Sequence, residues 1–146
     1  MNDSPDFCFS IPIQIRFADT DVMGHVNNAV YLTYFELARV EYFRSIVGRE
    51  VDESLEQSFI IGEAHVVFKA PARMGESLQV LARISRFGTK SFDFSYRIIN
   101  TEHGAVICEG STVQVMYDYV RNATILLPQD FIQRVESFER QPVARS

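Results

Sequence analysis

The chain has 146 residues, enough for one domain with a real core, and its balance of 47% hydrophobic to 23% charged residues is that of an ordinary globular protein. A formal net charge of −5 argues against general nucleic-acid binding, although a local basic patch can still hold an anionic small molecule. Residues 1–10 lack the basic and apolar regions of a signal peptide, and no apolar run approaches the roughly 18 residues of a membrane span.

Cys8 and Cys108 lie far apart without metal-ligand spacing and read as free thiols of a cytoplasmic protein. Residues 9–17 read as a first strand. Ile11, Ile13, Ile15 and Phe17 alternate with Pro12, Gln14 and Arg16, the period of two expected when one face is buried. Pro12 cannot donate to a ladder and suggests an edge position. A polar turn, residues 18–25, follows.

Helical periodicity then runs from about residue 28 to 47. Tyr31, Tyr34, Phe35, Ala38, Tyr42 and Ile46 form one stripe, and Leu32, Leu37, Val40 and Phe43 widen it. That breadth predicts a helix wrapped by a sheet on more than one side. Asn27 or Asn28 would cap its start and Gly48 its end. Residues 49–58 hold Glu50, Asp52, Glu53 and Glu56 and read as an exposed connection.

Four strand-like runs come next. Residues 59–70 place Ile60, Ala64, Val66 and Phe68 on one face. Residues 76–86 turn Leu78, Val80, Ala82 and Ile84 inward, and residues 91–100 do the same with Phe92, Phe94, Tyr96 and Ile98. Residues 105–117 form a long, Val-rich strand in which Gly110 would let the helix backbone come close. Short turn signals between the runs force antiparallel pairing. Pro128 fits the first turn of a terminal helix with Phe131, Ile132, Val135 and Phe138 on its apolar face, and residues 139–146 look polar and frayed. The simplest packing of this order is α+β, an antiparallel sheet curled round one central helix.

The stretch Arg16-Phe-Ala-Asp19-Thr-Asp21-Val-Met-Gly24-His25-Val-Asn27-Asn28, followed by Tyr31, Tyr34-Phe-Glu36 and Ala38-Arg39, resembles the signature of the hotdog-fold thioesterases. Within them it is similar to the 4-hydroxybenzoyl-CoA thioesterase and YbgC-like group of acyl-CoA thioesterases. The run Phe68-Lys-Ala-Pro71 and the turn Gly88-Thr-Lys90-Ser91 fit as well. The resemblance implies a hotdog fold: a five-stranded antiparallel sheet wrapped around a long central helix, in a single domain over residues 1–146. Its core would span about 9–120 and its terminal helix about 128–138. It also implies homodimers or homotetramers with active sites at subunit interfaces, an acyl-CoA substrate and no cofactor.

Thioester hydrolysis needs an attacking oxygen, a polarised carbonyl and a site for the departing thiolate. The resemblance assigns the first task to Asp21, as nucleophile or as the base that activates water. Asp19 reads instead as a turn-former. The resemblance assigns polarisation to the backbone N–H of Asn28, where an unpaired donor and the helix dipole favour developing negative charge. Gly24 permits the sharp approach to the helix. His25 has two open readings, a group beside the thioester or a residue satisfying backbone at the turn. Glu36 is expected to pair with Arg39 one turn on.

Tyr31, Tyr34 and Phe35 either line the acyl pocket or belong to the core. His65 reads as an ordinary surface or interface residue, and His103 as an exposed turn residue. Arg83, Arg86, Lys90 and Ser91 cluster at one turn and form the expected coenzyme A patch, with Lys69 and Arg73 as outer candidates. The sequence holds no metal motif, phosphate loop or serine elbow. A thioesterase acting on acyl carrier protein and a non-catalytic acyl-CoA-binding protein remain the alternative readings.

Overall fold

The computed structural model describes residues 7–47 and 57–146. The expected cap at Gly48 and the acidic connection at 49–56 lie outside the described residues. The elements in chain order are β1 (Phe9–Gln14), a 3-10 turn (Phe17–Asp19), α1 (Val30–Val47), β2 (Gln57–Phe68), β3 (Ser77–Phe87), β4 (Ser91–Asn100), β5 (Val106–Asp118), β6 (Ala123–Thr124), α2 (Gln129–Glu139) and β7 (Ala144–Arg145). The five long strands take the order β1-β3-β4-β5-β2, every long pairing antiparallel. This is the expected hotdog arrangement, with α1 lying against the sheet's inner face.

Alternation explains the inner face. Leu78, Val80, Ala82 and Ile84 of β3 are buried, as are Phe92, Phe94, Tyr96 and Ile98 of β4. From α1, Tyr31, Tyr34, Phe35, Ala38, Tyr42 and Phe43 meet them. The Phe35 ring stacks on Tyr96 with centroids 4.2 Å apart, and Tyr42 meets Phe94 edge-on at 5.0 Å. Burying each such side chain stabilises the fold by about 1.5–3 kcal/mol before entropy is counted.

Several local expectations are corrected. Strand β1 stops at Gln14, so Phe17 enters the 3-10 turn and is 82% exposed rather than inward. Leu32 and Leu37 of α1 are exposed, so the wrapped stripe is narrower than its sequence. The β2 register slips between Ile61 and Glu63. That bulge sets Ile60, opposite Val115, on the face away from Ala64, Val66 and Phe68.

At Gly110 the close neighbours are not helix backbone. A Cβ built there would lie 2.6 Å from the Phe35 ring and 2.8 Å from the His65 carbonyl oxygen. Pro128 stands just before α2 rather than inside it.

The C-terminal tail is tied down rather than frayed. The buried Glu139 carboxylate accepts from the Tyr42 hydroxyl and the Ile84 N–H, and β7 pairs parallel with the end of β3.

Candidate active site

The loop between β1 and α1 is fastened by its first acid. Asp19 is 1% exposed and accepts from the Arg16 N–H at 3.0 Å, the Arg16 guanidinium at 2.8 Å and the Tyr34 hydroxyl at 2.9 Å. Burial alone would raise its pKa. The bonds from Arg16 and Tyr34 hold the carboxyl below its usual range instead. Its backbone oxygen also accepts from the Asn27 N–H at 2.9 Å, closing the loop onto the helix start.

Asp21 stands at the tip of that loop. Its backbone N–H donates to the His25 oxygen at 2.8 Å, while Oδ1 accepts from the N–H groups of Met23 at 2.9 Å and His25 at 3.2 Å. One carboxylate oxygen is therefore anchored. Oδ2 has no hydrogen bond among the described residues and the side chain is exposed.

Gly24 turns the chain with φ +77°, a conformation that strains any residue with a Cβ. The loop docks on the segment before β3 through the Val26 N–H to the Ala72 oxygen at 2.8 Å and a bridge between His25 and Arg73. An open depression of about 500 Å3 results, lined by Phe17, Thr20, Asp21, Val22, Gly24 and Met74. Phe17 and Met74 are the residues that sequence reasoning missed. Their signal was faint, because Phe17 sits in phase with a strand and Met74 lies in what reads as a plain turn.

At the mouth of α1 the Asn27 side chain accepts from the Ala29 N–H at 3.1 Å, and its backbone oxygen accepts from Val30 at 2.9 Å. Asn27 is thus the cap. The Asn28 N–H has no acceptor among the described residues. The His25 imidazole is half-buried and makes no hydrogen bond among them, to Asp21 or otherwise.

Tyr31 is packed in the core against Tyr34 and Phe68, apart from the depression, and burial pushes its pKa up to about 12. Glu36 and Arg39 do not pair. Glu36 is exposed, and Arg39 donates to the Tyr96 hydroxyl at 3.0 Å.

The expected coenzyme A residues lie elsewhere. Arg86 pairs with Asp93 at 3.0 Å, Lys90 reaches the Thr124 hydroxyl at 3.4 Å, and Arg83 and Ser91 are half-buried. All four stand toward or beyond the far end of β3, whereas Met74 and the Asp21 loop lie before its start. The ten steps of β3 from Ser77 to Phe87 span roughly 33 Å. Of the outer candidates, Arg73 touches the loop and Lys69 is exposed. His65 is exposed on β2, and His103 is exposed with Nε2 4.0 Å from Glu76. No group of three His, Cys, Asp or Glu side chains among the described residues is gathered as a metal site. No described helix is long and apolar enough to cross a membrane.

Known proteins were compared with this chain. Residues 15–135 match the thioesterase-like superfamily. The acyl-CoA thioester hydrolase YbgC of Escherichia coli is 27% identical over 125 residues, 85% of this chain and 92% of that protein. The chloroplastic acyl-acyl carrier protein thioesterase ATL3 of Arabidopsis thaliana is 29% identical over 133 residues, 90% of this chain and 69% of that protein. Among solved structures, a thioesterase from Thermus thermophilus complexed with coenzyme A and Zn superposes with a TM-score of 0.84 at 28% identity, covering 94% of this chain and 98% of that one. A match over so much of the chain, on the fold described above, shows that this protein belongs to the thioesterase-like superfamily.

Proposed function

We propose that this protein hydrolyses acyl-CoA thioesters to a free acid and coenzyme A, with Asp21 as the reacting carboxylate. The observation that carries the reading is the geometry of that side chain. Oδ1 is held by two backbone N–H groups, Oδ2 has no hydrogen bond among the described residues, and Asp21 lines the open depression. Oδ2 either attacks the thioester carbon or takes a proton from the attacking water. Charge developing on the carbonyl oxygen would be met by the Asn28 N–H and the positive end of α1. The C–S bond then breaks and the thiolate leaves as coenzyme A. Gly24 shapes the approach, and His25 flanks it.

The nucleotide of coenzyme A would meet Arg83, Arg86, Lys90 and Ser91. One copy of the chain cannot set that patch beside its own Asp21, given the length of β3 between them. A homodimer or homotetramer solves this by lending the patch of one copy to the Asp21 of another. Cys8 and Cys108, both free, suit a cytoplasmic setting. A second reading, hydrolysis of acyl-acyl carrier protein, is favoured by the similarity to the Arabidopsis enzyme.

The test is a hydrolysis screen over aliphatic and aromatic acyl-CoAs with an acyl-acyl carrier protein arm, run on the wild type and on Asp21→Asn. The expected result is turnover of CoA esters that falls about 10²–10⁴-fold in the variant while the folded state persists. Wild-type-like turnover in Asp21→Asn removes this carboxylate from the mechanism. Preference for the carrier-protein esters selects the second reading. Tight binding of acyl-CoA without turnover points to a non-catalytic binding protein.

A further inference from the structure

We infer that Glu76 is a positioning residue for the Asp21 loop, holding it through the Arg73 turn with Asn100 as its fixed anchor. The role rests on Asp21 as the reacting carboxylate and extends that reading to a side chain outside the depression.

The segment between β2 and β3 supports the Asp21 loop along one flank. The Val26 N–H donates to the Ala72 oxygen at 2.8 Å, the Met74 N–H reaches the Gly24 oxygen at 3.4 Å, and His25 bridges to Arg73. His25 in turn grips Asp21 twice. Its oxygen accepts from the Asp21 N–H at 2.8 Å, and its N–H donates to Oδ1 at 3.2 Å. Whatever fixes the Arg73 turn therefore fixes the anchored oxygen of Asp21. Packing does little of this, because Arg73, Met74 and Gly75 are all exposed. Hydrogen bonds must set where the turn sits.

Glu76 supplies them. Its backbone N–H donates to the Arg73 oxygen at 3.1 Å, and Oε1 folds back to accept from the Arg73 N–H at 2.9 Å. Oε2 accepts from the side-chain amide of Asn100 at the end of β4. Asn100 is fully buried, and its own side-chain oxygen accepts from the Glu102 N–H at 2.9 Å. Its backbone closes the hairpin to β5 through the Gly104 N–H at 2.7 Å and the Ala105 oxygen at 2.9 Å. Glu76 thus ties an exposed turn to a rigid point of the sheet. The exposed His103 ring also stands near Oε2, with Nε2 at 4.0 Å.

The chemistry selects a carboxylate at this position. The Arg73 N–H and the Asn100 amide are both donors, so the side chain must accept at both of its ends. An ionised carboxylate does so. An amide of the same shape presents one acceptor and one donor, and whichever way it turns, two donors face each other.

The test uses the full chain and two readouts. One is kcat and KM for the acyl-CoA ester best turned over in the screen above. The other is amide hydrogen exchange at His25 and Val26, which reports loop docking without substrate. Glu76→Gln should lower kcat about 10–100-fold with KM changed less than about twofold, since the reacting group is misplaced and binding is not. Exchange at the two amides should quicken about tenfold or more. Adding Asn100→Asp to Glu76→Gln should recover most of both losses, because the new amide then donates to the new carboxylate. Thr101→Val removes a hairpin bond, from the Thr101 hydroxyl to the Ser77 oxygen at 3.2 Å, that does not reach Arg73. It should lower Tm while kcat, KM and the two exchange rates keep their wild-type values.

Wild-type exchange at His25 and Val26 in folded Glu76→Gln overturns the inference whatever the activity, and so does an unchanged kcat. A folded double variant without recovery overturns it, as does Thr101→Val losing kcat to the same extent. Should Glu76→Gln fail to fold, Glu76→Asp decides by the same readouts, because it keeps the charge but is one methylene too short to reach both donors. A wild type that hydrolyses no thioester, or an active Asp21→Asn, refutes the proposed function and leaves the exchange measurement to decide whether Glu76 holds the loop.

Discussion

Two aspartates two residues apart have opposite surroundings, and the difference sets their roles. Asp19 is enclosed by Arg16 and Tyr34, so its carboxylate is fully engaged in fastening the loop to α1. Asp21 keeps one oxygen free. The lowered pKa of Asp19 gives a signed prediction. Its ionised form favours folding above the unfolded-state value of about 3.9, and that contribution is lost as pH falls through the lower, folded value. Asp19→Asn should therefore cost about 1–3 kcal/mol at pH 7 and flatten the loss of stability below about pH 4. Urea denaturation between neutral and acid pH measures both. An unchanged midpoint at pH 7 would show that the carboxylate is not holding the loop. Gly24→Ala tests the neighbouring turn. Nothing lies within 4 Å of the added Cβ, so the expected cost of about 1–2 kcal/mol is conformational strain alone. The turn that anchors Asp21 Oδ1 would shift with it, lowering kcat more than it lowers Tm.

Among the elements, β3 and β4 were legible because alternation in them is nearly unbroken and short turns bound them. Strand β2 was legible as a strand but not in phase. Gly62 reads like any glycine, and the slip beside it depends on the partner strand's register. Asp21 and the capped start of α1 could be read from one continuous motif, since their hydrogen bonds are local. The depression could not, because Met74 reaches it from fifty residues away through the pairing of His25 with Arg73. The docking of the tail is hidden from the sequence for a similar reason: Glu139 finds Tyr42 only once α2 has folded back over β3. Gly110 carries the strongest packing prediction at this scale. Between the Phe35 ring and the His65 carbonyl there is no room for a methyl group. Gly110→Ala should destabilise by about 1–3 kcal/mol through overpacking. Phe35→Leu in the same chain should recover part of that loss, and additive losses in the double variant would place the clash elsewhere.

For the whole molecule the decisive fact is that Asp21, the proposed reacting acid, and the proposed coenzyme A residues Arg86 and Lys90 stand toward opposite ends of β3. A site built from both must draw on two copies, and this has a consequence that neither residue shows alone. Take Asp21→Asn as one preparation and Arg86→Ala with Lys90→Ala as another. The first should be inactive. The second should turn over with a raised KM for CoA esters and a nearly unchanged KM for truncated pantetheine esters, because only the nucleotide end of the substrate has lost its cations. Each heterodimer of the two then contains one site with an intact Asp21 facing an intact patch, and one site lacking both. Mixing and exchanging subunits should accordingly create sites with the wild-type KM, at about half the wild-type kcat per heterodimer. If acid and patch served the same copy's site, no heterodimer could contain an intact pair. The mixture would then keep the raised KM of the second preparation at every ratio. The KM of the mixture therefore separates a shared site from a private one, whichever acyl group the enzyme prefers.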